Sequence, residues 1–150
     1  MATDTDIRQG LLTVLAYVPN VKTVTSGVAY RISRRGGVLP LPADCPTIRV
    51  SAGAVRLRPW TLQGAHMRHQ TWYATLWAFE DDPTLSSDAW EQLRADVLTV
   101  LELGRRTLIS LTGILDVQVD TEQQPRRPLG APGNRGLLQS EFALTTWEQI

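Results

Sequence analysis

Residues 69–80, HQTWYATLWAFE, read as a strand with no wet face. A strand of an ordinary antiparallel sheet alternates, apolar towards the core and polar towards water. Here one face carries Trp72, Ala74, Leu76 and Ala78, and the other carries Thr71, Tyr73, Thr75, Trp77 and Phe79. Edge strands are usually blunted by charge or proline, and neither occurs between Thr71 and Phe79. Such a strand belongs in the middle of a sheet and needs cover on both sides. A chain of 150 residues, 43% hydrophobic and 20% charged, has to supply it.

That length suits one domain, residues 1–150, burying about 68–70% of its unfolded surface. A single cysteine, Cys45, leaves no internal disulfide and no multi-cysteine zinc site. MATDTDIRQG lacks the basic and apolar regions of a signal peptide, and no apolar run approaches the roughly 18 residues that span a bilayer. A soluble protein made in the cytoplasm is expected, with no membrane partner.

The rest of the chain supplies the cover unevenly. TDTDIRQGLLTVLAYVPN reads as a helix, capped by Thr3 or Asp4, with Ile7, Leu11, Val14, Leu15 and Val18 on one face and Pro19 as its end. KTVTSGVAYRIS reads as a weak hairpin or extended segment turning at Ser26-Gly27, and RRGGVLPLPADCP as a loop. TIRVS is a short strand, followed by a long connection, AGAVRLRPWTLQGAH, expected to be partly extended, and then the strand MRHQTWYATLWAFE. A second helix has Asp88 and Glu91 at its start and Gly104 as its expected end. Its stripe is Trp90, Leu93, Val97, Val100 and Leu101.

GILDVQVDTE alternates, Leu115, Val117 and Val119 in and Asp116, Gln118 and Asp120 out; LLQSEFALTTWEQI closes the chain with Leu138, Phe142 and Leu144 on one face. These last two strands can pair around a Pro/Gly-rich loop. The order predicts an α+β fold: a mostly antiparallel or mixed sheet of four to five strands, two helices on one face, and long loops over 33–46 and 121–136. Two helices cover the small-residue face of the aromatic strand. Tyr73, Trp77 and Phe79 are left over, either as a partner surface or beneath the chain's own loops.

No catalytic, cofactor or metal site is expected. His66 and His69 are three apart at a strand entry, where such positions face opposite ways. Cys45 sits in a proline loop with no helix N-terminus to activate it. Glu80, Asp81 and Asp82 read as a solvated turn. LGAPGNRG lacks the strand–loop–helix context of a phosphate loop. Fifteen basic residues balance fifteen acidic ones, which argues against a dedicated nucleic-acid binder. Arginines nevertheless cluster in the loops, at Arg34, Arg35, Arg126, Arg127 and Arg135.

In its layout the chain resembles the tail terminator proteins of long-tailed bacteriophages, also called tail completion or minor tail proteins. The likeness rests on the opening helix IRQGLLTVLAYV, the aromatic strand QTWYATLWAFE, the helix SSDAWEQLRADVLTVLE and the closing strand LQSEFALTTWEQI. The loops over 33–46 and 121–136 are longer than that layout. The resemblance implies a virion structural protein at the tail–neck junction, assembled in the host cytoplasm, that forms a ring, usually a hexamer. The ring stops tail-tube growth and offers the head-side connector a docking surface. Its partners would be itself, the tail tube protein and the head–tail connector protein, with DNA passing through the lumen. Tyr73, Trp77, Phe79 and the five loop arginines are the candidate interface or lumen residues. The alternatives are a head-completion or neck connector ring, a small DNA-binding module, or an enzyme built around Cys45, His66 and His69.

Overall fold

The computed structural model describes residues 4–26, 45–59, 66–79, 82, 85–111, 114–122 and 137–149. Its elements are α1 (Asp4–Leu15), β1 (Thr23–Ser26), β2 (Thr47–Pro59), β3 (His66–Phe79), α2 (Ser87–Ile109), β4 (Ile114–Glu122) and β5 (Leu137–Gln149). The strands form one sheet in the order β1-β2-β3-β5-β4. β1 runs parallel to β2, and every other pair is antiparallel. This is the α+β architecture expected, with a mixed five-stranded sheet. The strand without a wet face, β3, is its middle strand.

The core lies between the sheet and the helices. β3 contributes Trp72, Ala74, Leu76 and Ala78, flanked by Ile48 and Val50 of β2 and by Phe142 and Leu144 of β5. Ile7, Leu11 and Leu15 of α1 and Trp90, Leu93, Val97, Leu101 and Leu108 of α2 close over them. Each such side chain contributes about 1.5–3 kcal/mol when fully buried. The predicted stripes of both helices are therefore the buried ones, except that Val100 is only partly buried against the core. Val18 is buried too, but in the turn beyond α1, where Val18 N–H donates to the Leu15 carbonyl at 3.1 Å.

Several local expectations are corrected. The cap of α2 is Ser86, whose hydroxyl accepts from Ala89 N–H at 3.1 Å; Asp88 lies inside the first turn. Gly104 does not end α2, which continues to Ile109. It marks the crossing of the helices instead, because a Cβ there would collide with Val14 of α1. Thr23–Ser26 pair in parallel with β2, while the turn expected at Ser26-Gly27 and the residues after it lie outside the described residues. TIRVS is only the start of the 13-residue β2.

Bulges explain why that length was hidden. The register between β2 and β3 shifts between Ala52 and Val55, so the core-side phase passes from Ile48, Val50 and Ala52 to Val55 and Leu57. A similar shift between Ile114 and Asp116 turns Leu115 outwards and leaves Ile114 and Val117 buried in β4. Thr121 and Glu122, read as the start of a loop, belong to β4.

Candidate functional site: an assembly surface

The second face of β3 is covered within the chain at its C-terminal half. Trp77 is fully buried and Phe79 is 7% exposed, and the two pack with the buried Cys45. Trp77 Nε1 donates to Gln139 Oε1 of β5 at 3.2 Å, and the Arg49 guanidinium of β2 stands 5.3 Å from the ring centroid. The indole thus has a satisfied N–H and a cation on its face. Trp77 and Phe79 are thus buried within the chain, where their sequence left a partner surface and cover by the chain's own loops both open. Tyr73 is the half-buried member of the three, its ring lying over Gly53, where an added Cβ would come within 2.6 Å of Cε2. Arg34, Arg35, Arg126, Arg127 and Arg135 lie outside the described residues, as do 33–44 and 123–136 of the two long loops.

The structure does not bring the candidate chemical groups together. Cys45 packs at Trp77 and Phe79, whereas His69 stacks on Trp147 with ring centroids 4.7 Å apart. Eight residues of β3 separate Trp77 from His69, roughly 26 Å at the rise of a strand. Among the described residues no group of three or more His, Cys, Asp or Glu side chains is placed to hold a metal. A cleft of about 760 Å³ between Asn20–Lys22 and the first turns of α2 is lined by Lys22, Asp82, Gln92 and Asp96 among others.

The helix-facing side of the sheet turns polar at one end. Arg68 of β3 donates to Asp4 of α1 at 2.6 Å and to Glu148 of β5 at 3.3 Å. Glu148 is fully buried, and burial pushes its carboxyl above the ordinary value while Arg68 pulls it down less strongly. Beside it Gln70 Oε1, Thr146 Oγ1 and Glu148 Oε1 are buried without a protein hydrogen-bond partner. This network ties the start of α1 to the sheet.

The surface features that the sequence did not single out are exposed apolar side chains. Tyr17 is 79% and Leu103 75% exposed, on either side of a shallow groove between α1 and α2 floored by Val14 and Gly104. Val55, Leu57 and Leu115 stand on the outermost long strands of the sheet, 45%, 62% and 40% exposed. Tyr17 and Leu103 could have been found as apolar residues lying off the helical stripes. Val55 and Leu57 were hidden by the bulge.

No protein-family model and no curated protein sequence matches the chain. Solved structures do. One is a chain of the virion of a native gene transfer agent particle, at 10% identity and TM-score 0.51, covering 96% of this chain and 92% of that one. Another is the sheath/tube terminator of an extracellular contractile injection system, PVC, in its extended state. There the identity is 16%, the TM-score 0.53 and the coverage 100% of this chain. The present chain spans 57% of that protein's length. At these identities the likeness is one of fold.

Proposed function

We propose that the chain is a virion structural subunit, assembling with copies of itself into a ring that ends a phage-type tail tube and offers a docking surface to the head-side connector. The observation that carries this reading is the match of the whole chain to a sheath/tube terminator. The similarity to a gene transfer agent virion chain supports the broader part, a component of a tailed particle. The exposed apolar residues on both the helical layer and the outer strands add to it, since a closed ring joins two different surfaces of one subunit.

Native mass spectrometry tests the ring directly. Six copies of a 16.7 kDa chain would give about 100 kDa. A species that stays monomeric across concentration, and also when mixed with purified tail tubes, would refute the proposal. Mixing with tubes and with connector rings separately distinguishes a tail-side ring from a neck ring: binding to connector alone, with no effect on tube length, would favour the neck.

A further inference from the structure

Four polar atoms at one end of the core have no hydrogen-bond partner among the described residues: Trp72 Nε1, Gln70 Oε1, Thr146 Oγ1 and Glu148 Oε1. Trp72, Thr146 and Glu148 are fully buried, and Gln70 is 1% exposed. Buried polar groups in folded proteins are nearly always paired, with protein or with ordered water.

The register places the four together. Arg68 lies opposite Glu148, Gln70 opposite Thr146 and Trp72 opposite Leu144. All six positions keep the phase of Trp72 and Leu144, whose side chains are in the helix-facing core. Gln70 and Thr146 thus form a middle row, with Glu148 one row towards the end of the sheet and Trp72 one row towards its centre. Rows on one face are about 6.6 Å apart along a strand, and side chains directly opposite start about 4.5–5.5 Å apart. Val55 of β2 and Val117 of β4 continue the middle row on either side, so its surroundings across the sheet are apolar.

The same sheet shows what direct pairing looks like. Trp77 lies opposite Gln139, and its Nε1 donates to Gln139 Oε1 at 3.2 Å. Trp72 has leucine opposite it, and its nearest amide side chain, Gln70, is two residues along its own strand. Glu148 Oε2 accepts from Arg68 at 3.3 Å, which leaves Oε1 as the oxygen without a donor.

The mixture of donors and acceptors selects the ligand. An indole N–H only donates, an amide oxygen only accepts, an ionised carboxylate accepts, and a hydroxyl does both. A cation would use the three oxygens, but it would leave the indole N–H unpaired and stand beside the Arg68 guanidinium. A water molecule accepts two hydrogen bonds and donates two. It can accept from Trp72 and Thr146 and donate to Gln70 and Glu148. With a proton on Glu148 Oε1 the carboxyl donates and the water turns to Thr146 Oγ1, so one molecule suits both states.

We propose that one internal water molecule is bound in the middle row, bridging Trp72, Gln70, Thr146 and Glu148. Such waters make about three hydrogen bonds each and occur about once per 27 residues. This one ties β3 to β5 behind the Glu148–Arg68–Asp4 link that holds the start of α1. It does not depend on whether the subunit forms a ring.

A crystal structure of the whole wild-type chain, sharp enough to show ordered waters, tests it, together with a second crystal soaked in a thallium(I) salt. One solvent peak is expected within about 2.7–3.2 Å of at least three of the four atoms, with no anomalous signal after the soak. A thallium peak there would make the site a cation site and overturn the proposal. So would direct bonds among the four side chains with no solvent between them. Thr146→Val combined with Gln70→Leu should lose the water and keep the Arg68–Glu148 contact, whereas Thr146→Ser should keep both. A water that stays in the double variant would overturn the assigned partners. Should the double variant fail to fold, the wild-type crystals still decide.

Discussion

Gly104→Ala sets two effects of opposite sign against each other in the body of α2. Helix propensity alone favours alanine there by about 1 kcal/mol. The added Cβ, however, would stand 2.8 Å from Val14 Cγ2 and 3.1 Å from Val14 Cβ, and nearer still to Cγ1. Val14 is 5% exposed, and its β-branch leaves it one favoured rotamer on a helix, so it cannot swing aside. Overpacking of this kind costs about 1–3 kcal/mol. The net expectation is a loss of about 1 kcal/mol, or about 2–4 °C in melting temperature for a domain of this size. In a Val14→Ala background the sign should reverse. There the alanine at 104 fills the space that Val14 vacates, and propensity acts unopposed. Urea unfolding followed by tryptophan fluorescence measures all four variants, at one protein concentration because assembly is linked to stability. A Gly104→Ala variant more stable than wild type by about 1 kcal/mol would refute the close helix crossing.

Val97→Asp places a carboxyl at a fully buried position and should cost several kcal/mol of a typical stability of about 5–15 kcal/mol; a wild-type urea midpoint would show that the core is wrongly placed. Cys45→Ala and His69→Ala should each keep assembly; loss of assembly by a folded variant would return chemistry to these residues. Glu148 titrates with a defined sign. Its folded carboxyl holds the proton more tightly than the unfolded one, so its stabilisation is fully present below the ordinary carboxylate value and is lost as pH rises through the raised folded value. Glu148→Gln should remove that decline, and identical slopes of melting temperature against pH in the two proteins would exclude it.

The elements that the sequence displayed were those in which a single pattern runs uninterrupted. β3 holds neither charge nor proline over Thr71–Phe79, and α2 repeats Trp90, Leu93, Val97 and Leu101 along one side. β2 read as a strand only over Thr47–Ser51 because its phase changes at Ala52–Val55, and in β4 Leu115 alone was placed on the wrong face, because it is the extra residue of a bulge. Gly104 looked like a stop because glycine after a helical stripe usually is one; only the position of Val14 on the other helix shows its packing role. The same holds for the aromatic face. Sequence established that Trp77 and Phe79 need cover, but not that Cys45, Arg49 and Gln139 give it.

The position of β3 between β2 and β5 also has a consequence during synthesis. β2 and β3 emerge together and can pair at once, but β5 lies at Leu137–Gln149. Residues 80–149 must be made before it can close the other side of β3, on the order of 4–14 s at roughly 5–20 residues per second. For that interval the nascent chain carries a long two-stranded hairpin with an open central edge and an aromatic surface on each side. Slow translation, truncation before Leu137 or high expression would extend the exposure, and the yield of soluble subunit would then depend on how quickly the last thirteen-residue strand arrives.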